Sequence, residues 1–141
     1  MTSMPLPSRA GRVKRPGATR DQIETAQALL VTEFPLDYTE FLLNSDGAVG
    51  ILGEDYLALW SLAEVISVQK DAAVEEFAPG LILFGSDGGD TVYAFMNRGE
   101  VMYVVEVSLE GLSLDSAKVR ASSFTEFLTL WMAGQYGGRG D

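Results

Sequence analysis

Residues 81–95 read LILFGSDGGDTVYAF, two apolar segments joined by six turn-forming residues. The pattern predicts two buried strands connected by a tight turn. We expect positive φ at the three glycines of the turn, which are Gly85, Gly88 and Gly89. We also expect Asp87 and Asp90 to cap exposed amides there. The same six residues could instead hold a ligand, so this segment predicts both part of the fold and a candidate site.

Three capping-box patterns predict helix starts on either side of this hairpin. They are Thr19 with Gln22, Ser61 with Glu64, and Ser123 with Glu126. The apolar periodicity after them predicts helices that reach about Glu33, about Glu76 and Gly134. A fourth, short helix with an aromatic face is predicted after Pro35, and it stops at the turn formed by residues 44–47.

Further strands are predicted at residues 56–60 and 101–107. In the second of these, Glu106 is the one charge in an otherwise apolar alternation, which indicates a strand covered on both faces. Helices and strands in this order predict an α+β fold, with a central, mostly antiparallel sheet flanked by about four helices.

The length of 141 residues, of which 47% are hydrophobic, fits one globular domain. We place that domain at residues 19–134, between a disordered basic arm at residues 1–18 and a flexible Gly-rich tail at residues 135–141. No apolar run has the length of a membrane span, and the first twenty residues lack the apolar centre of a secretory signal. We therefore expect a cytoplasmic protein that does not bind membranes.

Charge divides the chain into two parts. Residues 1–20 carry five basic residues and no acid, whereas residues 21–141 carry 20 acids against five bases. An acidic body is repelled by nucleic acid and by anionic membranes, and it is steered towards a basic partner. The alternative is that the acidic residues serve only solubility.

The residue types present restrict catalysis. The chain has no histidine and no cysteine, which excludes classical triads, most zinc sites and cysteine nucleophiles. A carboxylate pair at Asp87 and Asp90, or a hard cation held by these two and Ser86, remains conceivable, although turn capping explains the same residues. Phosphate binding is disfavoured because the turn lacks a lysine and its aspartates repel anions. We expect no cofactor and no metal.

Five residues are the candidates for contact with a protein partner. They are Glu54, Asp55, Trp60, Asp87 and Asp90. Acidic residues are commonly just solvated, and a strand-end tryptophan commonly packs in the core, yet a large amphipathic ring at such a position can also anchor a partner. The acids at positions 71, 75 and 76 offer similar contacts to a basic protein.

The order of three motifs resembles that of a known family. Residues 34–47, FPLDYTEFLLNSDG, are similar to its Leu-Pro-x-x-Tyr-x-x-Phe-Leu helix start with the following turn. Residues 83–95 resemble its strand, Gly-Ser/Asp-Gly-Gly-Asp turn and second strand, and residues 123–128, SFTEFL, resemble its closing helix. Across residues 19–133 the chain therefore resembles the SMI1/KNR4 superfamily, also called SUKH.

The resemblance implies a non-enzymatic domain that binds another protein. In bacteria such domains commonly act as immunity proteins that neutralise a cognate toxin, whereas fungal relatives act as regulators linked to cell-wall synthesis. Combined with the acidic body, it implies a basic toxin as partner, a nuclease being one such toxin. The alternative is a regulatory or scaffold domain of the cell-wall-signalling type. The oligomeric state is not predicted.

Overall fold

The computed structural model describes residues 13–53 and 55–134, and these form one seven-stranded antiparallel sheet with helices on both faces. The strands are β1 (Val13–Lys14), β2 (Ala48–Leu52), β3 (Asp55–Leu59), β4 (Leu81–Ser86), β5 (Thr91–Arg98), β6 (Val101–Ser108) and β7 (Lys118–Ala121). They lie in the sheet in chain order. The helices are α1 (Arg20–Leu30), α2 (Leu36–Asn44), α3 (Leu62–Asp71), α4 (Val74–Phe77) and α5 (Phe124–Met132). The predicted α+β architecture is confirmed.

One face of the sheet packs against α1, α2 and α5 through an aromatic cluster. Phe84 of β4 and Phe95 of β5 stack with ring centroids 4.4 Å apart, and Tyr38 of α2 lies over both. Asp37 links α2 to α5, because its carboxylate accepts hydrogen bonds from the Thr125 amide and hydroxyl, both at 2.9 Å. The two family-like helix motifs thus meet on this face.

The opposite face is covered by the end of α3, by α4 and by the segment after β6. Its buried side chains are Val74, Ala78, Leu81, Leu83, Val92, Ala94, Val105, Val107 and Leu112. Every residue of β4 is buried, and the second half of β6 buries Val104 on one face and Val105 and Val107 on the other. These strands are therefore covered on both faces, as the apolar alternation predicted.

Two of the three predicted capping boxes are confirmed in full. Thr19 and Ser61 each exchange hydrogen bonds with the residue three positions later. At α5 the Ser123 hydroxyl accepts from the Glu126 amide, but the Glu126 carboxylate accepts instead from the amide and hydroxyl of Ser122.

Two predicted helix ends are wrong. α1 stops at Leu30 instead of Glu33, because Val31 adopts a left-handed conformation with φ of 53°. The helix expected to run to Glu76 breaks after Asp71, since Ala73 also has φ of 53°. After that turn, α4 buries Val74 against the sheet.

The predicted arm is too long at its C-terminal end. Val13 and Lys14 pair with β2, the Ala18 amide donates to the Leu42 carbonyl at 2.8 Å, and Ala18 is buried. Arg15 also forms an ion pair with Glu64 at 2.9 Å. Residues 13–18 therefore belong to the domain, whereas the rest of the predicted arm (1–12) and the predicted tail (135–141) lie outside the described residues.

Candidate functional site

The turn predicted from residues 85–90 connects β4 to β5. The Asp87 carboxylate accepts from the Gly89 amide at 2.8 Å, and the Ser86 hydroxyl accepts from the Gly88 amide at 3.1 Å. Gly88 has φ of 93°, as expected. Gly85 and Gly89 lie outside the left-handed region, so that part of the prediction is wrong.

Gly85 is required for a different reason, which is the close approach of β3. A Cβ atom at Gly85 would lie 2.5 Å from the carbonyl oxygen of Ala58. The register of β4 against β5 shifts between Leu83 and Gly85, so the glycine also lies in an irregularity of the sheet.

Asp90 acts outside its own turn. Its carboxylate accepts hydrogen bonds from the Ser108 hydroxyl and, at 2.9 Å, from the Glu110 amide, while its carbonyl accepts from the Leu109 amide at 2.8 Å. Asp90 therefore caps amides as predicted, but those amides belong to the segment that follows β6. It fixes the position of residues 108–110 relative to the hairpin.

The structure places several of the candidate acids at one end of the sheet. Asp55 begins β3, Asp87 follows β4 and Asp90 precedes β5, and these ends are adjacent because neighbouring strands are antiparallel. Glu106 and Glu110, near and beyond the end of β6, lie at the same end. We call these five residues the acidic end: Asp55, Asp87, Asp90, Glu106 and Glu110.

The negative charge of the acidic end affects the pKa of Tyr93, whose side chain is buried nearby. Burial raises the pKa of the Tyr93 hydroxyl well above its ordinary value, and the nearby carboxylates of Asp87 and Glu106 raise it further. Arg120 of β7 acts in the opposite direction and forms an ion pair with Glu106 at 3.0 Å. The acidic end is thus partly compensated on the β7 side.

Two of the candidates from the sequence remain, and the structure places only Trp60. Glu54 lies outside the described residues. Trp60 follows β3 at its other end, about 16 Å along the strand from Asp55 at the rise of an extended chain. Half-buried, it packs against the hydrophobic clusters of both sheet faces.

The chemistry available at the acidic end is that of a charged surface. Among residues 13–53 and 55–134, no group of three or more acidic side chains is arranged to hold a metal ion. Ser86, Asp87 and Asp90, the suggested cation ligands, each accept hydrogen bonds from nearby amides. Sequence reasoning missed Glu110, because only the Asp90 bond brings it to the hairpin, whereas the lone charge in β6 could have identified Glu106.

An antiparallel sheet covered by helices on both faces, with a charged loop-bearing end, defines a small α+β domain. A family model, that of the SMI1/KNR4 family (SUKH-1), matches residues 17–130. The chain therefore belongs to the SMI1/KNR4 family, and the resemblance drawn from the three motifs is confirmed. No curated protein matches the chain. No helix of the described part has the length and apolar character needed to cross a membrane.

Proposed function

We propose that this protein is a non-enzymatic binding module that acts as an immunity protein, neutralising a basic cognate toxin such as a nuclease. Membership of the SUKH-1 family supports the proposal, since proteins of this family commonly have that role. The observation that carries it is the acidic end, where acidic residues at the ends of neighbouring strands lie on the same side of the sheet.

The charge of the body supports a basic partner. Residues 21–134 contain 19 acidic and four basic residues, a net charge of −15. A surface of this sign accelerates encounter with a positively charged protein and opposes encounter with nucleic acid. Asp87 and Asp90 are held by hydrogen bonds, so few side-chain rotamers need to be frozen when a partner binds.

The proposal predicts a toxin gene next to the gene for this chain, and the test uses the toxin domain that it encodes. Co-expression of the full-length protein should restore growth to bacteria that produce the toxin domain. In binding kinetics with purified proteins, raising NaCl from about 50 to about 300 mM should slow association roughly tenfold or more, because screening removes electrostatic steering. Cytochrome c, a basic protein without a toxin role, controls for non-specific attraction.

Two results would contradict the proposal. The first is growth that is not restored although the protein is folded and abundant, and the second is binding no tighter than that of cytochrome c. Stable recovery of a host regulatory protein, with no effect on the toxin, would instead favour the regulatory or scaffold role.

A further inference from the structure

A groove on the second face of the sheet combines exposed apolar side chains with an acidic rim. We call it the α4 groove, and it has a volume of about 440 Å³. Its lining residues are Val68, Asp71, Ala72, Phe77, Leu109, Glu110, Gly111 and Leu112.

The floor of the α4 groove is formed by apolar side chains that are exposed to solvent. The Phe77 side chain in α4 is 55% exposed and Leu109 is 38% exposed, while Leu112 below them is nearly buried. A large aromatic ring left in water beside aliphatic side chains is typical of a contact surface. The break at Ala73, which creates α4 as a separate helix, is what brings Phe77 to this position.

The rim of the groove carries a single sign of charge. Asp71 and Glu110 are its titratable lining residues, and both are exposed acids. Glu76 of α4 adds exposed negative charge next to Phe77 in the sequence. Lys70 and Glu75 line a different groove, together with Leu29.

Asp90 connects this groove to the acidic end. Asp90 accepts hydrogen bonds from the amides of Leu109 and Glu110. These bonds fix the backbone of two residues that line the groove, one apolar and one acidic. The hairpin turn thus positions the groove, so Asp90 is a positioning residue for the groove as well as an acid of the surface.

We propose that the α4 groove is the docking site for a basic segment of the partner protein, with an apolar side chain against Phe77 and Leu109 and Lys or Arg side chains facing Asp71 and Glu110. This inference rests on the proposed function and specifies its binding face. Charge complementarity favours this occupant over a second copy, because a two-fold dimer through this face brings Asp71 and Glu110 of each copy together.

Two charge-reversal variants, which change the overall charge of the protein by the same amount, test the groove. Asp71→Lys/Glu110→Lys alters the rim, and Glu24→Lys/Glu33→Lys alters two exposed acids lining another groove by the same net amount. Asp71 lies in the last turn of α3, where a cation interacts favourably with the helix dipole, so the first variant should fold. Circular dichroism and thermal unfolding check both variants.

The first probe is a labelled 12-residue synthetic peptide with two leucines and four lysines, measured by fluorescence anisotropy with the full-length protein. The rim reversal should weaken binding roughly tenfold more than the control reversal, since it removes contacts as well as steering. Phe77→Ala should also weaken binding, mainly through faster dissociation. Equal losses for the two reversals would overturn the inference, because the body charge alone would then explain binding.

The second probe is the toxin domain, which separates the two proposals. If the wild-type protein binds the toxin and the rim reversal binds it equally well, the groove is not the site and the proposed function stands. If the toxin is not bound while the peptide still depends on the rim, the proposed function fails and the groove remains a site for basic segments.

Two other occupants of the groove, a second copy of the protein and its own N-terminal residues, would each give a distinct result. A dimer seen in solution that the rim reversal dissociates would assign the groove to a second copy and overturn the inference. A rise of roughly tenfold in peptide affinity after Arg9→Glu/Arg12→Glu, in the full-length chain, would assign it to the protein's own N-terminal residues and overturn it as well.

Discussion

Gln69 shows how a single side chain replaces a missing strand. β3 pairs only with the end of β4, at Gly85 and Ser86, and leaves the first part of β4 without a strand partner on that side. The Gln69 amide fills this gap, donating to the Leu81 carbonyl at 2.6 Å and accepting from the Leu83 amide at 3.1 Å. Only 8% of Gln69 is exposed, so these bonds form out of contact with water.

Gln69→Met should therefore destabilise the protein by about 2–4 kcal/mol, because two buried backbone groups lose their partners while the volume is kept. Urea unfolding followed by circular dichroism measures the change. Ser67→Ala, at an exposed position of the same helix, should change stability by less than about 0.5 kcal/mol. Equal effects of the two substitutions would show that the Gln69 bonds contribute nothing.

The two glycines at either side of the β4–β5 turn should respond in opposite ways to alanine. Gly85→Ala places Cβ 2.5 Å from a backbone oxygen of β3, which should cost about 2 kcal/mol or more through a forced shift of the strands. Gly89→Ala places Cβ 3.5 Å from the Asp87 carboxylate without positive φ, so stability should stay constant or rise by about 0.5 kcal/mol. Thermal unfolding of both variants checks this, and a tolerated Gly85→Ala would refute the close approach.

Among the elements, helices with clear capping signals were predictable, whereas β7 at one edge of the sheet and β2 next to the other edge were not. Thr19 and Ser61 are local signals, because each cap bonds within four residues. By contrast, β7 reads KVRA and β2 contains Gly50, so neither shows the continuous apolar pattern of β4. These strands form because long-range pairing supplies their hydrogen bonds, which local sequence does not encode.

The capping box of α3 should make stability depend on pH. Partial burial raises the pKa of Glu64, but hydrogen bonds from Ser61 and the charge of Arg15 outweigh it, so the pKa lies below its ordinary value of 4.5. A carboxyl whose pKa is lowered by folding contributes its stability fully above the unfolded pKa. That contribution is lost as the pH falls through the folded pKa.

Glu64→Gln keeps an acceptor for the Ser61 amide but removes the charge that pairs with Arg15. We expect the free energy of unfolding to fall by about 0.5 kcal/mol at neutral pH, since the ion pair is half exposed. Below about pH 5, the stability of the variant should decrease less than that of the wild-type protein. Urea unfolding across this range measures both. Glu24→Gln, at an exposed position of α1, is the control and should keep the wild-type pH dependence; an unchanged profile in Glu64→Gln would contradict the assignment.

For the whole molecule, the sequence predicted the fold class, the acidic body and the turn, but only part of the site. Asp55 and Asp87 meet because β3 and β4 pair at Ala58 and Ser86, a register that no local pattern fixes. Glu110 joins them only through the bond of its amide to Asp90. The α4 groove depends on the break at Ala73, a left-handed conformation that alanine rarely adopts and that its sequence context does not signal.

The same acidic excess that should attract a basic partner should also weaken the folded state by self-repulsion. Residues 21–134 carry 19 acids and four bases. One of those bases, Arg120, forms an ion pair with Glu106, and Arg15, outside this range, forms another with Glu64. Screening weakens both repulsion and ion pairs, but acids far outnumber bases, so the melting temperature should rise by a few degrees between about 20 and about 300 mM NaCl. Choline chloride at equal ionic strength should give the same rise, which separates screening from specific sodium binding. A melting temperature that falls with salt would show that attractive pairs, and not the acidic excess, dominate the electrostatics of this fold.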